Sequence, residues 1–206
     1  MSKLNFTRLS GWAFIFGGLA FLPFILTNLL EYTPLNLPFS FSGFFESMAV
    51  LGFFWSPVLL AVGMLGLRAR YASEIGVSGT GILLLGASAG MLVIIGNIGQ
   101  TYNSDAFWGV FIIGATILFT SLLIFGVQAL IRKPLPRMNW LPLVAGLWFP
   151  MISLPGIFGI HFPALGPTPN LVFSLFTAAG MLITTIALIM LGYTLHMDAP
   201  QEMATA

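Results

Sequence analysis

The chain has 206 residues, of which 58% are hydrophobic and only 6% charged, with a formal net charge of +1. A water-soluble domain carries about 25% charged residues, so a surface this poor in charge points to lipid as its main solvent. The near-neutral balance gives no ground for a nucleic-acid or acidic partner, and the absence of cysteine excludes disulfides, thiol chemistry and Cys-based metal sites.

Lys3 and Arg8 precede an apolar run from Gly11 to Leu30. A cleaved signal peptide also begins this way, but no small-x-small cleavage site follows; the next residues are Glu31, Tyr32, Thr33 and Pro34. The run reads as a retained first helix. A membrane helix needs about 20 mostly apolar residues to cross a core of ~30 Å. Six segments meet that length: Ser10–Leu30, Glu46–Leu67, Val77–Gly99, Phe107–Ile131, Asn139–Ile160 and Asn170–Leu195. The expected fold is a single all-α transmembrane domain over residues 1–206, a six-helix bundle.

Orientation follows from the basic residues. With six spans, Lys3, Arg8, Arg68, Arg70, Arg132, Lys133 and Arg137 fall on one side. The opposite loops, 31–45, 100–106 and 161–169, hold no Lys or Arg. Random placement would segregate them so completely about once in sixty trials, so both termini are expected in the cytoplasm.

Glycines recur at matched depth. Gly63 and Gly66, Gly126 and Gly192 lie near the ends of the inward-running helices, and Gly18, Gly86 and Gly146 lie in the outward-running ones. The pattern suggests three helical hairpins of about 65 residues, against the background that glycine is common in membrane helices. Lipid supplies no hydrophobic drive for helix association, so small residues and interhelical hydrogen bonds must do so. Gly86-Ala87-Ser88-Ala89-Gly90 is a small-xxx-small pattern, and Gly86 and Gly90 are the expected packing residues. Ser174, Ala178, Ala179 and Gly180 are expected to serve similarly on the last helix. Pro23 and Pro57 read as kinks, whereas Pro150 and Pro155 with Ser153 between them are expected to break the fifth helix. A broken helix often lines a cavity.

The same glycine-rich segment matches G-x-S-x-G, but a hydrolase elbow needs a strand-turn-helix context that an apolar helix does not offer. Intramembrane serine proteases of the rhomboid type pair such a serine with a histidine at similar depth. Here His161 lies in an outer loop and His196 at the inner end of the last helix, neither placed to serve Ser88 as a base. Those opposite positions also argue against a bis-His haem. Mid-span Asp, Glu, Lys, Arg and His are absent, which argues against an ion-coupled pump. No catalytic residue, cofactor or metal is expected.

One polar group of residues faces the outside: Glu31, Glu46, Asn97, Gln100, Asp105, Trp108 and His161. Beside it, Tyr32 to Phe45 carries Phe39, Phe41, Phe44 and Phe45, an aromatic segment suited to the membrane interface. These residues either form a polar rim or line a shallow outer-leaflet site for a ligand or partner. The motifs Gly11-Trp12-Ala13-Phe14-Ile15-Phe16-Gly17-Gly18, Gly66-Leu67-Arg68-Ala69-Arg70-Tyr71, Leu135-Pro136-Arg137 and Leu191-Gly192-Tyr193-Thr194-Leu195 resemble those of small bacterial six-span integral membrane proteins of unassigned function. The resemblance implies a bacterial inner-membrane protein and brings no catalytic residues.

Three functions compete. The leading expectation is a non-catalytic membrane subunit or binding protein that packs against lipids and other membrane subunits, or against copies of itself. The second is a carrier for a neutral or lipid-like small molecule, for which a central cavity open to one side would be the signature. The third is a lipid-modifying enzyme using Glu31, Glu46, Asp105 and His161 at the outer interface.

Overall fold

The computed structural model describes residues 3–32, 39–100, 104–135, 138–157 and 171–198. All of its regular structure is helical: α1 (Lys3–Leu19), α2 (Leu22–Tyr32), α3 (Phe39–Gln100), α4 (Ser104–Arg132), α5 (Leu141–Ile157) and α6 (Leu171–Asp198). Among the described residues, four stretches are long and apolar enough to cross a membrane: Asn5–Thr27, Ser47–Gly99, Ala106–Arg132 and Leu175–Met197. The apolar helix over Leu141–Pro155 is shorter. By length and composition this is a helical membrane protein.

The 53 residues of Ser47–Gly99 would extend about 80 Å if straight, more than twice a membrane core. They are not straight. Gly76 adopts φ 71° and ψ −171°, a backbone region open almost only to glycine, and there α3 folds back on itself. A Cβ built on Gly90 would lie 2.9 Å from the Ala61 Cβ and 3.0 Å from the Pro57 carbonyl, and one on Gly86 2.6 Å from Met64 Cε. Residues 39–75 and 77–100 are thus two antiparallel arms. Their turn is capped by Arg132, whose Nη1 donates to the Ile75 carbonyl at 2.9 Å. That satisfies a helix-end oxygen with a cation, as the helix dipole favours.

The rods form a ring in chain order. α1 packs on α6 and on the first arm of α3, α4 on α3 and α5, and α5 on α6, while α3 and α6 barely meet. Glycines sit at the seams. Gly18 lies against Thr185 and Leu188 of α6, Gly86 against Met64 of the first arm, and Gly146 against Phe119 and Leu123 of α4. Each of these three packs on the helix that precedes it around the ring; a Cβ would press on backbone at Gly18 and Gly146 and on the end of the Met64 side chain at Gly86. At the α1–α6 seam Gly11 and Gly192 face each other backbone to backbone.

The proline expectations are reversed. α5 runs unbroken from Leu141 to Ile157 with Pro150 and Pro155 inside it. Proline removes one donor but leaves the neighbouring turns bonded, and Ser153 Oγ adds a bond to the Phe149 carbonyl at 2.9 Å. The break falls instead in the first span, at Ala20 and Phe21 between α1 and α2. Pro23, lacking an N–H, starts α2 where none is needed. Phe21 N donates to Gly18 O at 3.1 Å, a shortened i→i−3 bond that leaves the Gly17 carbonyl without its usual i+4 partner. Ser56 Oγ, from the first arm of α3, donates to that oxygen at 3.1 Å.

One end of the bundle holds the start of α1, the turn at Gly76, the end of α4 and the end of α6. The described basic residues gather there, with Arg8 on α1, Arg68 and Arg70 near the turn, Arg132 at the end of α4 and Lys133 just after it. The centre at this end is filled by Met64, Leu67, Tyr71, Leu122, Phe125 and Leu191, all essentially inaccessible.

Candidate functional site

Toward the other end the centre is not filled. A cavity of about 640 Å³ lies between the helices, within the size range of small-molecule sites. Its floor is Leu118 and Leu60, both buried, where the packed core begins. Trp108 and Ile157 border it near the ends of α4 and α5, each about half exposed, and mark its mouth.

Five elements contribute walls. Phe21 and Phe24 come from the break and the start of α2, Pro57 and Val93 from the two arms of α3, and Phe111, Ala115 and Phe119 from α4. Trp148, Phe149 and Ser153 come from α5, and Thr177, Met181 and Thr184 from α6. The break in the first span matters here, because it turns Phe21 toward Phe119, with ring centroids 6.3 Å apart. Phe119 in turn stacks on Phe149 at 5.3 Å and 22°. Trp108 stacks on Phe111 at 5.1 Å and 23°. Offset aromatic pairs of this kind hold one another's rotamers.

Among the described residues, the lining contains no Asp, Glu, Lys, Arg or His. Its hydroxyls are spent or shut in, Ser153 being paired with Thr116, which lies outside the lining. Thr116 Oγ1, with one proton, lies 2.7 Å from the Ile112 carbonyl and 2.8 Å from Ser153 Oγ, and Ser153 directs its own proton to Phe149 O. Trp148 Nε1, Thr177 Oγ1 and Thr184 Oγ1 are buried with no hydrogen-bond partner. The Trp148 ring itself is pressed against Gly180 of α6, where a Cβ would collide with it.

Of the residues expected on the outer face, Trp108 lines this cavity. Asn97 is buried on the second arm of α3, 7% exposed, and does not border it. Glu31 lies in α2, Glu46 and Gln100 in α3 and Asp105 in the first turn of α4, but their side chains fall outside the described residues. His161 and the segment 33–38 also lie outside them. Gly86 and Gly90 are buried at the fold-back of α3, whereas Ser88 between them faces outward and is exposed. An outward serine in an unbroken stretch of helix has no nucleophile elbow. His196, at the basic end, meets the edge of the Trp12 ring at 5.3 Å. No group of three or more His, Cys, Asp or Glu able to hold a metal occurs among the described residues.

The aromatic lining was not read from the sequence. In helices apolar all round, nothing in the residue pattern separates a phenylalanine facing lipid from one facing a cavity. The one signal is a break at a proline, expected in α5 and found instead between α1 and α2. Comparison with family models, with curated proteins and with solved structures finds no match to this chain.

Proposed function

We propose that this chain is a six-span protein of the bacterial cytoplasmic membrane, both termini cytoplasmic, that binds a neutral, lipid-like molecule within its bundle. The six crossings are the α1–α2 pair, the two arms of α3, and α4, α5 and α6. The fold-back at Gly76 supports counting α3 twice, and the gathering of basic residues at one end supports the orientation. The protein acts as a binding protein or carrier rather than an enzyme.

The observation that carries this reading is the aromatic cavity of about 640 Å³ at the end opposite the basic residues, with no charged residue among its described lining. A subunit whose only task is to pack against neighbours has no need of an internal void, and a void costs dispersion contacts along its walls. In the membrane a ligand can reach the mouth from the outer leaflet without crossing water. The test is native mass spectrometry of the chain released from mild detergent. A neutral adduct is expected on the wild type and is lost when Ala115→Phe fills the cavity. A stable second polypeptide with no small-molecule adduct would return the assignment to a structural subunit.

A further inference from the structure

The cavity sits in lipid, and that changes what can select its occupant. A ligand moving from a bilayer into an apolar cavity leaves one hydrocarbon environment for another, so the hydrophobic effect that drives binding from water is missing. Selectivity must come from something the acyl chains of the bilayer do not offer. The described lining supplies no charge, because no ionisable residue is among it. Hydrogen bonding is not on offer either. The Thr116–Ser153 pair is committed to itself and to backbone carbonyls, and the Thr177 and Thr184 oxygens and Trp148 Nε1 are buried away from the cavity surface, where a ligand does not reach them.

What remains is aromatic surface. Phe119 and Phe149 stack nearly parallel, Trp108 and Phe111 do the same nearer the mouth, and Phe21 leans on Phe119. Rings locked in such pairs present fixed flat faces and edges, which favour offset or edge-on contact with another π-system. A flexible acyl chain would gain no such contact and would lose rotational freedom on confinement. A rigid, flat molecule has little of that freedom to lose. Resting on the binding reading above, we infer that the occupant is a neutral, flat, conjugated hydrocarbon-rich molecule, of the polyene or ring-bearing isoprenoid class, and not an acyl lipid.

The test uses the full chain in nanodiscs of saturated phosphatidylcholine with 1,6-diphenylhexatriene, a neutral, flat, rigid probe that accepts energy from tryptophan. Trp148 and Trp108 are the donors at the cavity, and Trp12, Trp55 and Trp140 add a signal that the blocking variants leave in place. The expected result is saturable energy transfer above that caused by probe dissolved in the lipid. Ala115→Phe and, on a different helix, Met181→Phe should abolish the saturable part, with thermal unfolding confirming that at least one of them folds. Unlabelled trans-stilbene should displace the probe at a concentration at least tenfold lower than hexadecanol does. Equal displacement by hexadecanol would overturn the preference for a flat ligand while leaving the cavity a binding site. No saturable transfer, or transfer indifferent to a folded blocking variant, would overturn both the ligand class and the binding function.

Discussion

Ser56 Oγ donates to the carbonyl oxygen of Gly17 at 3.1 Å, across the seam between α1 and the first arm of α3 and away from any water. The bond exists because Pro23 ends the first helix early. Phe21 N is drawn to Gly18 O, and the oxygen one residue back needs a new donor. In hydrocarbon an unpaired carbonyl is costly, so the hydroxyl on α3 fixes where the first span can break. The break in turn places Phe21 and Phe24 on the cavity wall.

Ser56→Ala should therefore lower stability in detergent by roughly 0.6–1.7 kcal/mol, the range found for interhelical bonds in membranes. In a Pro23→Ala background the helix can continue, Phe21 N can return to Gly17 O, and the same substitution should cost much less. A double-mutant cycle on unfolding would read the coupling, expected at about 0.5 kcal/mol or more. Strict additivity would mean that the hydroxyl and the proline act independently.

Gly90→Leu should disrupt the fold-back of α3 more than Gly86→Leu. Gly90 faces a short alanine and a backbone carbonyl, neither of which can yield, whereas Gly86 faces the flexible end of Met64 as well as Ser121. Overpacking costs about 1–3 kcal/mol where neighbours cannot move. Ser88→Ala, on the outer face, should leave the thermal midpoint within error of the wild type.

Two positive-φ positions should respond in opposite directions. Gly76→Ala forces a Cβ into a conformation that costs about 1–3 kcal/mol, so the midpoint should fall. Lys133, at φ 52°, ends α4 in the left-handed region with its N–H on Ala129 O at 2.9 Å. Lys133→Gly should raise stability by roughly 0.5–1 kcal/mol, the relief of the side-chain clash less the added freedom of the unfolded chain. Chemical denaturation of both variants in one detergent would check the signs.

For the orientation, reporter fusions after Arg70 and Arg137 should read cytoplasmic, and those after Pro38 and Asn103 should read on the far side. A far-side signal at Arg137 would end the six-span count.

The helical class and the presence of several long apolar helices could be read from the residues alone, because length and charge bear on them directly. The joint at Gly76 could be placed only approximately, since the expected second and third spans left residues 68–76 between them as a loop where helix continues almost to the glycine. Which proline would break its helix was not legible. Pro150 and Pro155 look more disruptive than Pro23, but the outcome turns on whether a hydroxyl from another helix stands opposite the freed carbonyl, and Ser56 is 39 residues from Gly17. The cavity was hidden for a related reason. Phe21, Phe119 and Phe149 meet only through the ring closure, and each alone resembles a lipid-facing ring.

The most direct measurement is an experimental structure of the chain in native-lipid nanodiscs, inspected between Phe119, Phe149 and Met181. A continuous, flat, non-protein density is expected there, running from the Leu118 floor toward Trp108, with the first span still broken at Ala20–Phe21. Side chains collapsed into that space, or a second polypeptide inserted through the mouth, would contradict it.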